Sequence, residues 1–195
     1  MKLVLASKNR KKLVEMNDIL SQLGVEVCSE AEAGVDVDVE ETGTTFEANS
    51  LLKAKAVMEA SGLPAVADDS GLCVDCLNGA PGVYSARYGG GGLDDAARCR
   101  LLLENIRGQL TRAAKFVSVI TCCFPNGDVL SARGECSGAI AYAPMGEGGF
   151  GYDPVFFVPG LNKTFAQLTA EEKNAISHRG KALAAFREKL KAYLE

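Results

Sequence analysis

The chain has 195 residues, 47% of them hydrophobic, which is enough for a sizeable core, and no apolar stretch approaches the roughly 20 residues of a membrane-spanning helix. Its formal net charge of −4 argues against non-specific nucleic-acid binding, because a phosphate backbone demands a broad basic surface. The N-terminus lacks a signal-peptide pattern, and the seven cysteines (28, 73, 76, 99, 122, 123 and 136) form no regular framework, so one reduced, cytoplasmic domain over 1–195 is expected.

Residues 3–6 read as a strand that breaks into Ser7-Lys8-Asn9-Arg10-Lys11-Lys12, placing four basic residues where a helix should start. A helix N-terminus already carries about half a positive charge, so each cation there costs up to roughly 1 kcal/mol unless an anion offsets it. Asn9 or Ser7 can cap that helix, and the free N–H groups of its first turn, with Lys12, would cradle a phosphate. The alternative is a solvated basic loop. No Walker pattern is present.

Leu13, Met16, Ile19, Leu20 and Leu23 give helical spacing over 11–23, and a strand follows at 25–28. Val35, Val37 and Val39 then alternate with Asp36, Asp38 and Glu40, as in an extended segment with one apolar and one acidic face. The same alternation turns Glu41 inward. An inward carboxylate needs a partner, and Mg²⁺ suits a phosphate enzyme, whereas Asp36 and Asp38 fit a solvated edge equally well.

A helix over 45–60 opens at Thr44-Thr45-Phe46-Glu47, a capping-box pattern with Glu47 placed to reach back to the Thr44 N–H. Phe46, Asn49, Lys53, Ala56 and Ala60 share one face, so Lys53 should find an acidic or phosphate partner there, or else snorkel to solvent. Strand signals at 65–67 and 72–74 flank Asp68-Asp69-Ser70-Gly71, which puts two carboxylates just past a strand's carboxyl end, where open α/β sheets bind ligands. One of the two can bind metal or activate water while the other makes structural hydrogen bonds; the string also fits a plain turn. Cys73 and Cys76 form a lone C-x-x-C within a segment, 72–77, that reads as strand, and they are taken as packing residues.

The glycine run 89–92 marks a loop, a helix follows over 94–107, and strands at 116–124 and 129–141 surround the turn Pro125-Asn126-Gly127-Asp128. Residues 146–154 combine glycines with Phe150 and Tyr152 and a fixed Asp153-Pro154 corner. Such a loop can bring backbone close to a flat ligand, or serve as a connection with buried aromatics. After a short strand at 155–158, Thr169 and Glu172 form a second capping box ahead of Lys173. Ser177 can cap a last helix over 177–194, with His178 and Arg179 at its cation-disfavouring start. The pattern describes an α/β chain with a mixed sheet.

Taken together, seven strings resemble the non-canonical purine nucleotide pyrophosphatases, the inosine and xanthosine triphosphate pyrophosphatases, over nearly the whole chain. They are Leu5-Ala6-Ser7-Lys8-Asn9, Glu40-Glu41-Thr42-Gly43, Thr45-Phe46-Glu47-Ala48-Asn49, Ala67-Asp68-Asp69-Ser70-Gly71, Gly79-Ala80-Pro81-Gly82-Val83-Tyr84-Ser85-Ala86-Arg87, Phe150-Gly151-Tyr152-Asp153-Pro154 and Ser177-His178-Arg179. The resemblance implies an elongated mixed sheet flanked by helices, with two lobes around a nucleotide cleft. It implies Mg²⁺-dependent hydrolysis of ITP, dITP and XTP to the monophosphate and pyrophosphate by a homodimer. Ser7, Asn9 and Lys12, within the basic turn that also holds Lys8, Arg10 and Lys11, would hold phosphates, with Lys53 near the same charge. Glu41 or Glu40, and Asp69, would serve the metal, and Asp69 would accept the proton of the attacking water. Ser70, beside that carboxylate pair, would bind substrate, and Phe150, Gly151, Tyr152, Asp153, Lys173, His178 and Arg179 would form the base pocket. The family's first loop more often reads Ala-Thr-Gly-Asn; here Ser7 and Lys8 stand in place of Thr and Gly. Two other functions fit the same chemistry less well: a Maf-type pyrophosphatase of modified pyrimidine or other nucleotides, and a nucleotide-binding module without hydrolysis. The Ser-His-Arg string argues against the first, and the acidic pair Glu41 and Asp69 against the second.

Overall fold

The computed structural model describes residues 1–195. Seven strands form one sheet: β1 (Lys2–Leu5), β2 (Glu26–Ser29), β3 (Ala65–Val74), β4 (Ala113–Cys123), β5 (Val129–Ile140), β6 (Phe156–Val158) and β7 (Lys163–Thr164), in the order β2-β1-β3-β4-β5-β6-β7. β1 pairs in parallel with β2 and β3, whereas β5 with β6 and β6 with β7 are antiparallel, so the sheet is mixed. The five α-helices are α1 (Arg10–Leu20), α2 (Phe46–Ser61), α3 (Asp95–Asn105), α4 (Ala170–Ile176) and α5 (His178–Leu194).

The chain divides into two compact units. The first comprises Met1–Asp69, Ser118–Gly134 and Lys181–Glu195, and the second Ser70–Val117 and Glu135–Gly180. In the first unit, successive strand residues point to opposite faces, and each face has its own core. Leu3, Leu5, Val66, Ile120 and Cys122 pack with Met16 and Leu20 of α1 and with Leu183, Phe186 and Leu190 of α5. Val4, Ala6, Ala65 and Ala67 pack instead with Ala54 and Val57 of α2. In the second unit, Leu72, Val74, Leu102, Phe116, Ile140, Tyr152, Phe156 and Phe165 form a single cluster. Phe186 is fully buried in the first core, and truncating such a ring leaves a cavity. Phe186→Ala is therefore expected to cost about 3–5 kcal/mol, read as a lowered urea midpoint with unchanged slope.

Four local expectations need correction. Residues 65–74 form one continuous strand, so Asp68 and Asp69 lie in mid-strand rather than past a strand end. An Asp-Asp-Ser-Gly string favours turns when its side chains compete for backbone groups. Here the carboxylates are engaged by Ser118, Lys12 and Lys53, which leaves the backbone to the sheet. Thr45, not Thr44, caps α2, its Oγ1 accepting from the Ala48 N–H at 3.1 Å, because Glu47 is drawn away to Arg133 at 2.6 Å. The strand expected over 72–77 ends at Val74, and Asp75–Leu77 is a 3₁₀ turn closed by Asn78 in the left-handed conformation. β7 was missed because its two residues, Lys163 and Thr164, are too few to show a period. All seven cysteines are free thiols.

Candidate active site

The first unit assembles a carboxylate–lysine centre on three elements. The segment before α2 is extended with alternating exposure, so Val35, Val37, Val39 and Glu41 turn inward while Asp36, Asp38 and Glu40 face solvent. Gly43 fixes its end: the Gly43 N–H donates to Asn49 Oδ1 at 2.8 Å, and a Cβ at position 43 would lie 2.5 Å from that oxygen. Asn49 itself is fully buried at the start of α2. One turn on, Lys53 donates from Nζ to Glu41 Oε1 at 2.8 Å, to Asp69 Oδ1 at 2.7 Å and to the Asp68 carbonyl at 3.2 Å.

Asp68 and Asp69, on opposite sides of β3, have different surroundings. Both oxygens of the Asp68 carboxylate are engaged, Oδ1 by the Ser118 hydroxyl at 3.0 Å and Oδ2 by Lys12 Nζ at 3.2 Å. Asp69 gives only Oδ1 to Lys53; its Oδ2 is buried with no hydrogen-bond partner. Burial pushes the Asp69 carboxyl above its ordinary pKa range; Lys53 pulls it back, while Glu41 and Asp68 push it further up. Burial opposes the charge on Lys53, but Asp69 and Glu41 together outweigh it and hold its pKa above the ordinary value. The carboxylates of Glu41, Asp68 and Asp69 thus gather around the ammonium groups of Lys12 and Lys53.

The basic turn lies in the same unit. Asn9 caps α1, its Oδ1 accepting from the Lys11 N–H at 2.9 Å, and Ser7 Oγ accepts from the Asn9 N–H at 3.2 Å. The first turn of α1 holds no acidic residue, and Ser7, Lys8, Asn9 and Arg10 line a cleft of about 600 Å³. Lys8 pairs with Asp36 at 3.0 Å across exposed surface, while Lys12 turns to Asp68.

The second unit gathers the aromatic and cationic candidates. Asp153 is buried, accepts from the Phe150 N–H at 2.9 Å and pairs through the same oxygen with Lys173. Gly149 adopts a φ of +73°, and a Cβ there would lie 2.0 Å from Asp153 Oδ2, so the turn requires glycine. The ring of Phe150 is half exposed and meets Lys173 Nζ at 4.7 Å and the Arg179 guanidinium at 5.5 Å. Tyr152 is buried and donates to the Ser85 carbonyl at 2.7 Å, so it braces the loop from behind.

Ser177 both ends α4 and starts α5, its Oγ accepting from the Gly180 N–H at 3.0 Å. A Cβ at Gly180 would lie 2.0 Å from the Asn174 carbonyl, so only glycine lets the two helices meet this closely. His178 and Arg179 therefore fall in the first turn of α5, both buried. The His178 ring stacks on Phe116 at 4.6 Å and 13°, and Arg179 approaches Ser70 Oγ at 3.5 Å.

Sequence reasoning overlooked Ser118, which occupies one oxygen of Asp68, and Phe116, which orients His178. Both sit in β4 and read there simply as strand residues. It also overlooked Asp95, which accepts from the Gly151 N–H at 2.7 Å; its position at a helix start was the sole signal, and that signal suggests a cap.

The protein is thus a mixed-sheet α/β protein with a carboxylate–lysine centre in its first unit and a cation-lined aromatic loop in its second. Residues 3–189 match the family model described as the Ham1 family, and the chain belongs to that family. It is 49% identical to a dITP/XTP pyrophosphatase of Haemophilus influenzae, over 97% of this chain and 98% of that protein, and 48% identical to one of Exiguobacterium over 94% and 93%. Among solved structures, the Ham1 protein of Staphylococcus aureus matches with a TM-score of 0.93 at 42% identity, over 99% of this chain and 100% of its own.

Proposed function

We propose that this protein is a nucleoside triphosphate pyrophosphatase that hydrolyses the non-canonical purine nucleotides dITP, ITP and XTP to the monophosphate and pyrophosphate. The observation that carries the reading is Asp69: a carboxylate fixed through one oxygen by Lys53, with the other buried and unpartnered. That geometry suits a group that takes a proton from water.

The donor set also fits a divalent cation. The Glu41 and Asp69 carboxylates converge on Lys53, Asp69 Oδ2 lacks a partner, and Mg²⁺ typically takes one or two carboxylates plus substrate oxygens. When bound there, Mg²⁺ would neutralise phosphate charge and polarise the phosphorus centre. Glu40 faces solvent, so Glu41 is the better donor of the two. Glu41→Gln is expected to weaken Mg²⁺ activation at least tenfold while Glu40→Gln stays within about twofold, measured as the Mg²⁺ concentration for half-maximal rate.

In the reaction, Ser7, Asn9 and the N-terminal end of α1 bind phosphate oxygens, and the basic residues from Lys8 to Lys12 offset their charge. Lys53 holds Asp69 in place. Water, giving its proton to Asp69, attacks the α-phosphorus; the bond from that phosphorus to the oxygen bridging to the β-phosphate breaks, and pyrophosphate leaves with that oxygen. In the second unit, Phe150 offers a flat surface to the base, while Lys173, His178 and Arg179 present donors. A 6-oxo group accepts from those donors; the 6-amino group of adenine is itself a donor and would leave them unpaired, a mismatch that costs a polar site several orders of magnitude.

No helix is long and apolar enough to cross a membrane. A cytoplasmic location, where nucleoside triphosphates and free thiols coexist, and a homodimer belong to the same reading; light scattering on the purified protein checks the latter. The reaction type is tested by incubating the protein with dITP and with XTP, with Mg²⁺ or with EDTA, and separating the products. Monophosphate plus pyrophosphate, formed only with Mg²⁺, is expected. Diphosphate plus phosphate would overturn the assignment.

A further inference from the structure

Helix α3 lies outside every string that carries the family resemblance, yet its first two turns grip the aromatic loop. Asp94 caps the helix, leaving Asp95 free to reach away from it. Asp95 Oδ2 accepts from the Gly151 N–H at 2.7 Å, and Asp95 Oδ1 is held by Arg98 Nη1 at 3.0 Å. One turn further, the Cys99 thiol donates to the Gly151 carbonyl at 3.4 Å. Burial pushes that thiol up to about 11, so it stays a donor at neutral pH. Positions i and i+4 share a helix face, so a single face of α3 takes both polar groups of one residue.

That residue directly follows Phe150, in a loop with glycines at 146, 148, 149 and 151. Glycines leave such a loop many conformations to lose on binding, and a clamp formed beforehand removes that cost from the binding step. Asp153 fixes the N–H of Phe150 itself, and Tyr152 is tied to Ser85. Gly151 is the remaining link, and α3 supplies its restraint.

We propose that Asp95 is a positioning residue for substrate recognition: with Cys99 it clamps Gly151 and so presets Phe150 beside Lys173 and Arg179 for a 6-oxo purine. This rests on the functional reading above. Asp95 touches no substrate and takes no part in proton transfer, so its removal acts on recognition and leaves chemistry in place.

The test compares D95A, D95N and C99A with the unaltered protein in steady-state kinetics on dITP and dATP, and in amide hydrogen exchange of the segment 146–154. D95A is expected to raise KM for dITP about five- to tenfold, as for the loss of one charge-assisted hydrogen bond, with kcat within about twofold. Its preference for dITP over dATP should fall in proportion, and exchange in the segment should quicken. D95N keeps an acceptor oxygen and should recover most of the KM. C99A, which removes the other half of the clamp, should shift KM in the same direction and answers the question if D95A does not fold. Unchanged KM and preference in both D95A and C99A, or a fall in kcat shared equally by every nucleotide, would overturn the proposal while an active, selective parent left the functional reading intact. A parent protein inert toward dITP would overturn both.

Discussion

Asp69→Asn is expected to lower turnover of dITP by about 10²- to 10⁴-fold, the range for losing a positioned general base, while the protein still folds and binds nucleotide. The amide matches the carboxylate in shape, and its oxygen can keep the 2.7 Å contact with Lys53 Nζ. Burial, Glu41 and Asp68 together oppose the Asp69 charge more than Lys53 favours it, so removing that charge should cost the fold little. What disappears is the basic oxygen, and an amide nitrogen cannot replace it. Asp68→Asn is the informative contrast. Both Asp68 oxygens are already engaged, by Ser118 and Lys12, so that change should loosen Lys12 and weaken phosphate binding more than it slows chemistry. Steady-state kinetics with calorimetric nucleotide binding and thermal melts separates the two, and unchanged turnover in Asp69→Asn would remove Asp69 from the mechanism.

Lys53→Met is expected to cost about 2–4 kcal/mol of stability and to reduce activity at least about 10²-fold. The methionine fills most of the volume but leaves the buried Asp69 without this ammonium, and an uncompensated buried charge is far more costly than a broken surface pair. Added Mg²⁺ should restore part of the lost melting temperature, because it can take the place of the ammonium as counter-charge. Lys55→Met provides the control on the same helix: its pair with Glu59 spans 3.8 Å with both side chains largely exposed, so the change should stay within about 0.5 kcal/mol. Melting curves with and without Mg²⁺ decide the matter. A Lys53→Met protein as stable as its parent would show that the centre does not depend on this lysine.

The features legible in the sequence were those written in local periodicity. The alternation from Val35 to Glu41 already separates Glu41 from Glu40, and the structure places them on opposite sides as that pattern requires. The basic turn capped by Asn9 and the capping box of Thr169 and Glu172 are equally local, and each forms as read. Asp68 and Asp69 defeated local reasoning because their turn propensity is overridden by Ser118, 50 residues away, and by two lysines from different helices. The α2 cap shifted by one residue for a related reason, since Glu47 finds Arg133 in β5. Which aspartate keeps a free oxygen, which ring His178 stacks on and what holds Gly151 are all set by long-range contacts, and no spacing along the chain encodes them.

The most direct measurement is a competition between dITP and dATP at equal concentration in one reaction with Mg²⁺, following both monophosphates as they form. The donors on Lys173, His178 and Arg179 predict that dITP is consumed at least about 10²-fold faster, and the role of Asp69 predicts that Asp69→Asn slows both reactions by at least about 10²-fold. Consumption of the two at similar rates would contradict recognition of the 6-oxo group, and with it the assignment of the second unit's loop as the base-reading element.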